Sequence, residues 1–110
     1  MKFKEKREYS RAEVEWPVNI SAAKGLIQGM IKNMSLGGAY IHLEELPNMD
    51  ENLNLSIEIP EHHYAVFATG ETIRFEVNSS ENTPVYYGLG VRLKDMVEDD
   101  LEFLFSTVLR

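Results

Sequence analysis

The sequence predicts an all-β domain: a six-stranded antiparallel barrel, closed or nearly closed on itself, followed by one C-terminal helix. About six segments of alternating apolar and polar residues follow one another at meander-like spacing, and the hydrophobic period then changes near the end of the chain. An open sheet of that many strands would expose two edges, so closure is favoured. At 110 residues, 44% of them hydrophobic, the chain has the size of one domain that buries roughly two-thirds of its unfolded surface.

The first strand is read from Val14, Trp16, Val18 and Ile20, which alternate with Glu13, Glu15, Pro17 and Asn19. Pro17 has no N–H to give a ladder, so it marks an edge position or a bulge, and Trp16 lies in the apolar phase as a core residue. After the turn-like Ser21 to Gly25, residues Leu26 to Met34 are apolar on both faces, and Ala39, Ile41 and Leu43 resume alternation. Leu53, Leu55, Ile57 and Ile59 form the clearest strand, stopped by Pro60. Tyr64 to Val77 reads as one long strand or as two pieces bent at Gly70. Asn78 to Pro84 has turn composition, and Val85 to Leu93 returns as the last strand.

Beyond it, Val97, Leu101, Leu104, Phe105 and Val108 fall on one stripe of a helix spanning about residues 96–109. Asp95 and Glu98 read as its capping box, with Asp99 and Asp100 adding charge that favours a helix start. The stripe predicts packing of this helix on the barrel or across one end. The division expected is a flexible basic segment, residues 1–11, and a barrel domain, residues 12–110.

Charge narrows the partners. Residues 1–11 carry five basic side chains against two acidic ones, a balance of +3, whereas residues 12–110 carry six against sixteen, a balance of −10. An acidic body of this kind repels long polyanions, so no DNA or RNA partner is expected, while a small anion held by the basic segment remains allowed. The longest apolar run, Tyr64 to Phe67 with Ala68, falls far short of the ~20 residues a membrane-spanning helix needs, so no membrane insertion is expected. The basic start lacks the apolar stretch of a secretory signal, and the chain has no cysteine; both agree with a cytoplasmic location.

Two constellations could carry chemistry. Arg7 and Arg11, separated by three residues, present planar forks of donors suited to phosphate or to the O6/N7 edge of guanine, although such a pair taken alone reads as a solvated tail. Asn33-Met34-Ser35-Leu36-Gly37-Gly38 combines hydrogen-bonding side chains with glycines that allow positive φ or close backbone approach, although alone it reads as a hairpin turn. The intervening residues, Ala12 to Lys32, are the length of one two-stranded hairpin, which would bring both motifs to the same end of a barrel.

This ordered pair resembles the signature of the PilZ domains, bacterial receptors for the second messenger cyclic di-GMP, in which an RxxxR motif is followed about one hairpin later by [D/N]xSxxG. The resemblance covers nearly the whole chain, and Tyr87-Gly88-Leu89-Gly90-Val91-Arg92-Leu93 is similar to the family's last strand. It implies that Arg7 and Arg11 clamp phosphate and guanine, that Asn33 and Ser35 meet another part of the guanine nucleotide, and that Gly38, with Gly37 beside it, keeps the surface open. Lys6 resembles the basic choice just before the motif, which in the family influences whether one ligand or a stacked pair binds. Asn33 stands where Asp is commoner, and an amide offers guanine one carbonyl oxygen in place of two carboxylate oxygens.

The function implied is a stand-alone receptor that signals to an effector protein as its N-terminal segment folds over cyclic di-GMP. No cofactor is implied. The other reading is a PilZ-fold adaptor that does not bind nucleotide. No nucleophile elbow or P-loop is present, so no enzyme is expected, and the adjacent His62 and His63, with His42 far away in sequence, read as exposed histidines instead of a metal site.

Overall fold

A computed structural model describes residues 11–48, 52–80 and 83–108. Six strands, β1 (Ala12–Ala22), β2 (Gly25–Met34), β3 (Gly38–Leu43), β4 (Asn52–Ile59), β5 (Tyr64–Ser80) and β6 (Thr83–Met96), close into one antiparallel barrel. Around the barrel they run in the order β1-β2-β3-β6-β5-β4, with β4 returning to β1. The expected barrel is therefore present, but its order departs from a simple meander: β3 takes β6 as its second neighbour, and β4 lies between β1 and β5.

The alternation read from the sequence is the inward phase of the strands. Trp16, Val18 and Ile20 of β1 and Leu53, Leu55, Ile57 and Ile59 of β4 are all buried. Pro17 faces Met30 of β2, and the β1–β4 ladder begins only at Val18, so the missing N–H falls just outside that ladder. A bulge near Lys32 rephases β2: Ile31 faces Ile41 in the core, whereas Asn33 faces Tyr40 and Met34 faces Ala39. The extra residue moves Asn33 out of the core phase of Ile31 and onto the outer face. β5 is one strand whose register shifts at Thr69/Gly70 and again at Thr72/Arg74, and beyond Glu71 it pairs with β6 alone among the described residues.

The C-terminal segment differs from expectation in three ways. Met96 still belongs to β6, and the helix α1 (Glu98–Phe103) continues as a wider π-type turn over Leu104–Val108. The capping box is absent: Asp95 lies in β6 and accepts a hydrogen bond from Thr69 Oγ1, and Val97 occupies the N-cap without a side-chain cap. The apolar stripe is turned partly away from the barrel. Leu104 is fully buried, but Val97, Leu101 and Phe105 are exposed. The cause is Asp100, whose carboxylate accepts hydrogen bonds from Tyr64 Oη at 2.8 Å and from the Phe67 backbone N–H at 3.3 Å. This N–H lies where β6 stops pairing with β5, so the carboxylate caps the end of a ladder. Phe103 stacks on Tyr64 with ring centroids 4.2 Å apart and meets His62 edge-on. Residues 100, 103 and 104 thus fix the rotation of the helix.

Candidate functional site

The site is built from three strand neighbours that the barrel order brings together. The β1–β2 register pairs Ala12 with Met34 and Glu13 with Asn33, so Arg11 enters beside the Asn33 side chain and donates from Nη1 to Asn33 Oδ1 at 2.7 Å. The expectation that one hairpin would bring the two motifs to one barrel end is met for this pair. Arg7 and Lys6 lie outside the described residues.

Past Met34 the chain turns. The Ser35 N–H donates to the Gly38 carbonyl at 2.9 Å, and Ser35 Oγ, almost wholly buried, accepts the Gly37 N–H at 3.2 Å. The hydroxyl thereby holds the turn that presents the two glycines. The Gly37 carbonyl in turn accepts the Leu93 N–H of β6 at 3.0 Å, fastening the turn to the last strand. Gly38 needs no positive φ; close approach explains it, since an added Cβ would stand 2.7 Å from the Val91 carbonyl oxygen.

Arg11, Asn33, Ser35, Gly37 and Gly38 line a cleft of about 630 Å³ together with Tyr40, Ile73, Arg74, Glu76 and Arg92. Ile73, Arg74, Glu76 and Arg92 were missed in the sequence because they reach the cleft through the long-range β3–β6 pairing, and Tyr40 was missed although it faces Asn33 across the neighbouring β2–β3 pair. One signal was available: Gly88 and Gly90 alternate with buried Leu89 and Val91, so both glycines sit on the outer face. They form a trough. A Cβ on Gly88 would overlap the Tyr40 hydroxyl, and one on Gly90 would stand 3.1 Å from Arg74 Cγ, so the Tyr40 and Arg74 side chains lie flat across β6.

The electrostatics favour an anion. Arg92 is paired with Glu71, and this guanidinium holds the Glu71 carboxyl below its ordinary range. Among the described residues Arg74 has no hydrogen-bond or ion-pair partner, and Arg11 has only the neutral amide of Asn33. Two guanidiniums therefore have no acidic partner among the described residues, in a cleft whose lining holds one further carboxylate, Glu76, together with backbone edges and an aromatic ring. Burial, with the nearby Glu76 carboxylate, raises the Tyr40 phenol, keeping it a neutral donor. Among the described residues no group of three or more His, Asp or Glu side chains is placed to hold a metal ion.

Comparison with known proteins agrees with this architecture. A search of curated protein sequences found no match. In fold, the chain is similar to the inhibitor of motility MotI/DgrA of Bacillus subtilis, with a TM-score of 0.72 at 20% identity over 93% of this chain and 48% of that one. It is similar to the PilZ domain of YcgR from Escherichia coli, solved with c-di-GMP, with a TM-score of 0.74 at 15% identity over 92% and 87% of the two chains. The K. pneumonia MrkH–c-di-GMP complex gives 0.71 at 16% identity over 93% and 50%. The chain thus spans about half the length of the MotI and MrkH chains it matches. No helix among the described residues is long and apolar enough to cross a membrane. The family model of the PilZ domain matches residues 5–109, both signature motifs included, and the chain belongs to the PilZ domain family.

Proposed function

We propose that this domain is a receptor for cyclic di-GMP that acts on a partner protein through the liganded surface. The observation that carries the reading is the cleft itself, in which Arg11 meets Asn33 across the β1–β2 hairpin and Arg74, without a partner among the described residues, shares the lining. Phosphate is the chemistry that guanidiniums recognise, and a flat purine can stack along the Tyr40 ring or the Arg74 guanidinium, whose side chains cover the glycines of β6. The fold relatives YcgR and MrkH were solved with this ligand, which supports the choice of nucleotide.

In this reading Arg7 and Arg11 engage phosphate and guanine and draw residues 1–11 over the ligand, an ordering step that changes the surface seen by the effector. Arg74 supplies a third cation from β5. Asn33 must share or release its single carbonyl oxygen, now taken by Arg11, if it is to accept from guanine.

Isothermal titration of the full chain with cyclic di-GMP, with GMP as control, tests the proposal. Saturable heat at tens of micromolar or below, roughly −6 kcal/mol or stronger, is expected for the dinucleotide. Absence of saturable heat in that range overturns it and leaves the adaptor that binds no nucleotide. Slowed amide exchange in residues 1–11 on ligand addition is expected for the ordering step, and equal protection in both states would remove it.

A further inference from the structure

The helix that was expected to bury its apolar stripe leaves most of it in solvent. Val97, Leu101 and Phe105 are 60%, 39% and 57% exposed, and they recur at four-residue steps beside the row of Asp100 and Leu104 that grips the barrel. Phe67 on β5, 58% exposed, lines a shallow groove of about 530 Å³ with Ala68, Met96 and Val97, so the helix row continues into an apolar trough on the barrel wall. This surface shares no residue with the cationic cleft. Exposed aliphatic and aromatic side chains that run together in this way mark an interaction site.

Charge selects the occupant. Asp95, Glu98, Asp99 and Glu102 are exposed around these side chains, none has a basic partner among the described residues, and residues 95–108 contain no Lys or Arg. A second copy docking symmetrically would bring these acids against themselves. An anionic lipid surface would be repelled in the same way. A segment with an apolar face flanked by lysine or arginine is complementary on both counts, and the row from residue 97 to 105 is about 12 Å long, two turns of such a helix.

We propose that Val97, Leu101, Phe105 and Phe67 form the docking face for a basic amphipathic helix of a partner protein. The proposal does not depend on nucleotide binding. The probe is a fluorescein-labelled amphipathic peptide of leucine and lysine, about four turns long, titrated into the full chain by fluorescence anisotropy. The same peptide with glutamate for lysine is the control.

The lysine peptide is expected to saturate and the glutamate peptide not to bind. Val97→Ser with Phe105→Ser, both at exposed positions, should weaken the lysine peptide about tenfold or more while the thermal melt and the nucleotide titration stay as in the wild type. Glu98→Gln with Glu102→Gln should weaken binding and flatten its salt dependence. Undiminished binding to the double serine variant, or equal binding of the glutamate peptide, overturns the proposal. So does a dimer of the unliganded protein in sedimentation that the Phe105→Ser variant dissolves, because the face would then belong to a second copy.

Discussion

Asn33 and Arg11 share a hydrogen bond of 2.7 Å between a cation and a neutral amide, and that choice of amide sets how firmly Arg11 is held before any ligand arrives. A carboxylate at this position would hold the guanidinium more strongly and would offer guanine a second oxygen. Asn33→Asp is therefore expected to tighten cyclic di-GMP binding about three- to tenfold, whereas Arg11→Ala should weaken it at least tenfold, roughly the worth of one charge-assisted hydrogen bond. Both are read by titration calorimetry, and neither should shift the melting temperature much, because Arg11 is exposed and precedes β1. His42 makes a different test. Its ring lies between Tyr40 and Tyr86, with centroids 5.3 and 4.5 Å away, and burial followed by the Lys32 charge lowers its pKa below the ordinary 6.5. The unfolded chain then binds the proton more readily than the folded one, so this contribution to stability is present above about pH 6.5 and is lost as pH falls through that value toward the folded pKa. Denaturant melts of the wild type and of His42→Phe between pH 5 and 8 should differ in this slope, the variant losing it.

Individual elements separate what periodicity can show from what it cannot. The inward phase of β1 and β4 was readable because alternation needs no knowledge of neighbours, and Leu55→Ala should cost about 2–5 kcal/mol in equilibrium unfolding through the cavity it leaves. The helix was readable as a helix, but its rotation was not, because a stripe of five apolar residues does not reveal that a carboxylate one position away will reach a tyrosine hydroxyl and an orphan strand N–H. The acidic run Glu98-Asp99-Asp100 looked uniform in sequence, yet only Asp100 is buried. Asp100→Ala should accordingly destabilise the domain by about 1–3 kcal/mol, because it leaves the Tyr64 hydroxyl and the Phe67 N–H without their acceptor. Asp99→Ala should change stability by less than about 0.5 kcal/mol. Equal effects of the two in thermal unfolding would show that the carboxylate at 100 does not anchor the helix.

Across the whole molecule, half of the candidate cleft could be found from a local rule and half could not. Arg11, Asn33, Ser35, Gly37 and Gly38 sit on a single hairpin and its exit turn, so their meeting follows from chain length alone. Arg74 and Arg92 join them only because β3 accepts β6, a pairing in which Gly38 faces Arg92, whereas Tyr40 follows from the neighbouring β2–β3 register, in which it faces Asn33. That ladder closes the barrel between partners 44 to 54 positions apart, and it has a consequence in time. During synthesis both signature motifs leave the ribosome long before the strand that completes their cleft, so the early chain carries the recognition letters without a place to read them. A fragment ending at Asn82 should be unable to retain the dinucleotide in equilibrium dialysis, and adding a peptide of residues 83–110 should restore retention in proportion to the barrel it rebuilds.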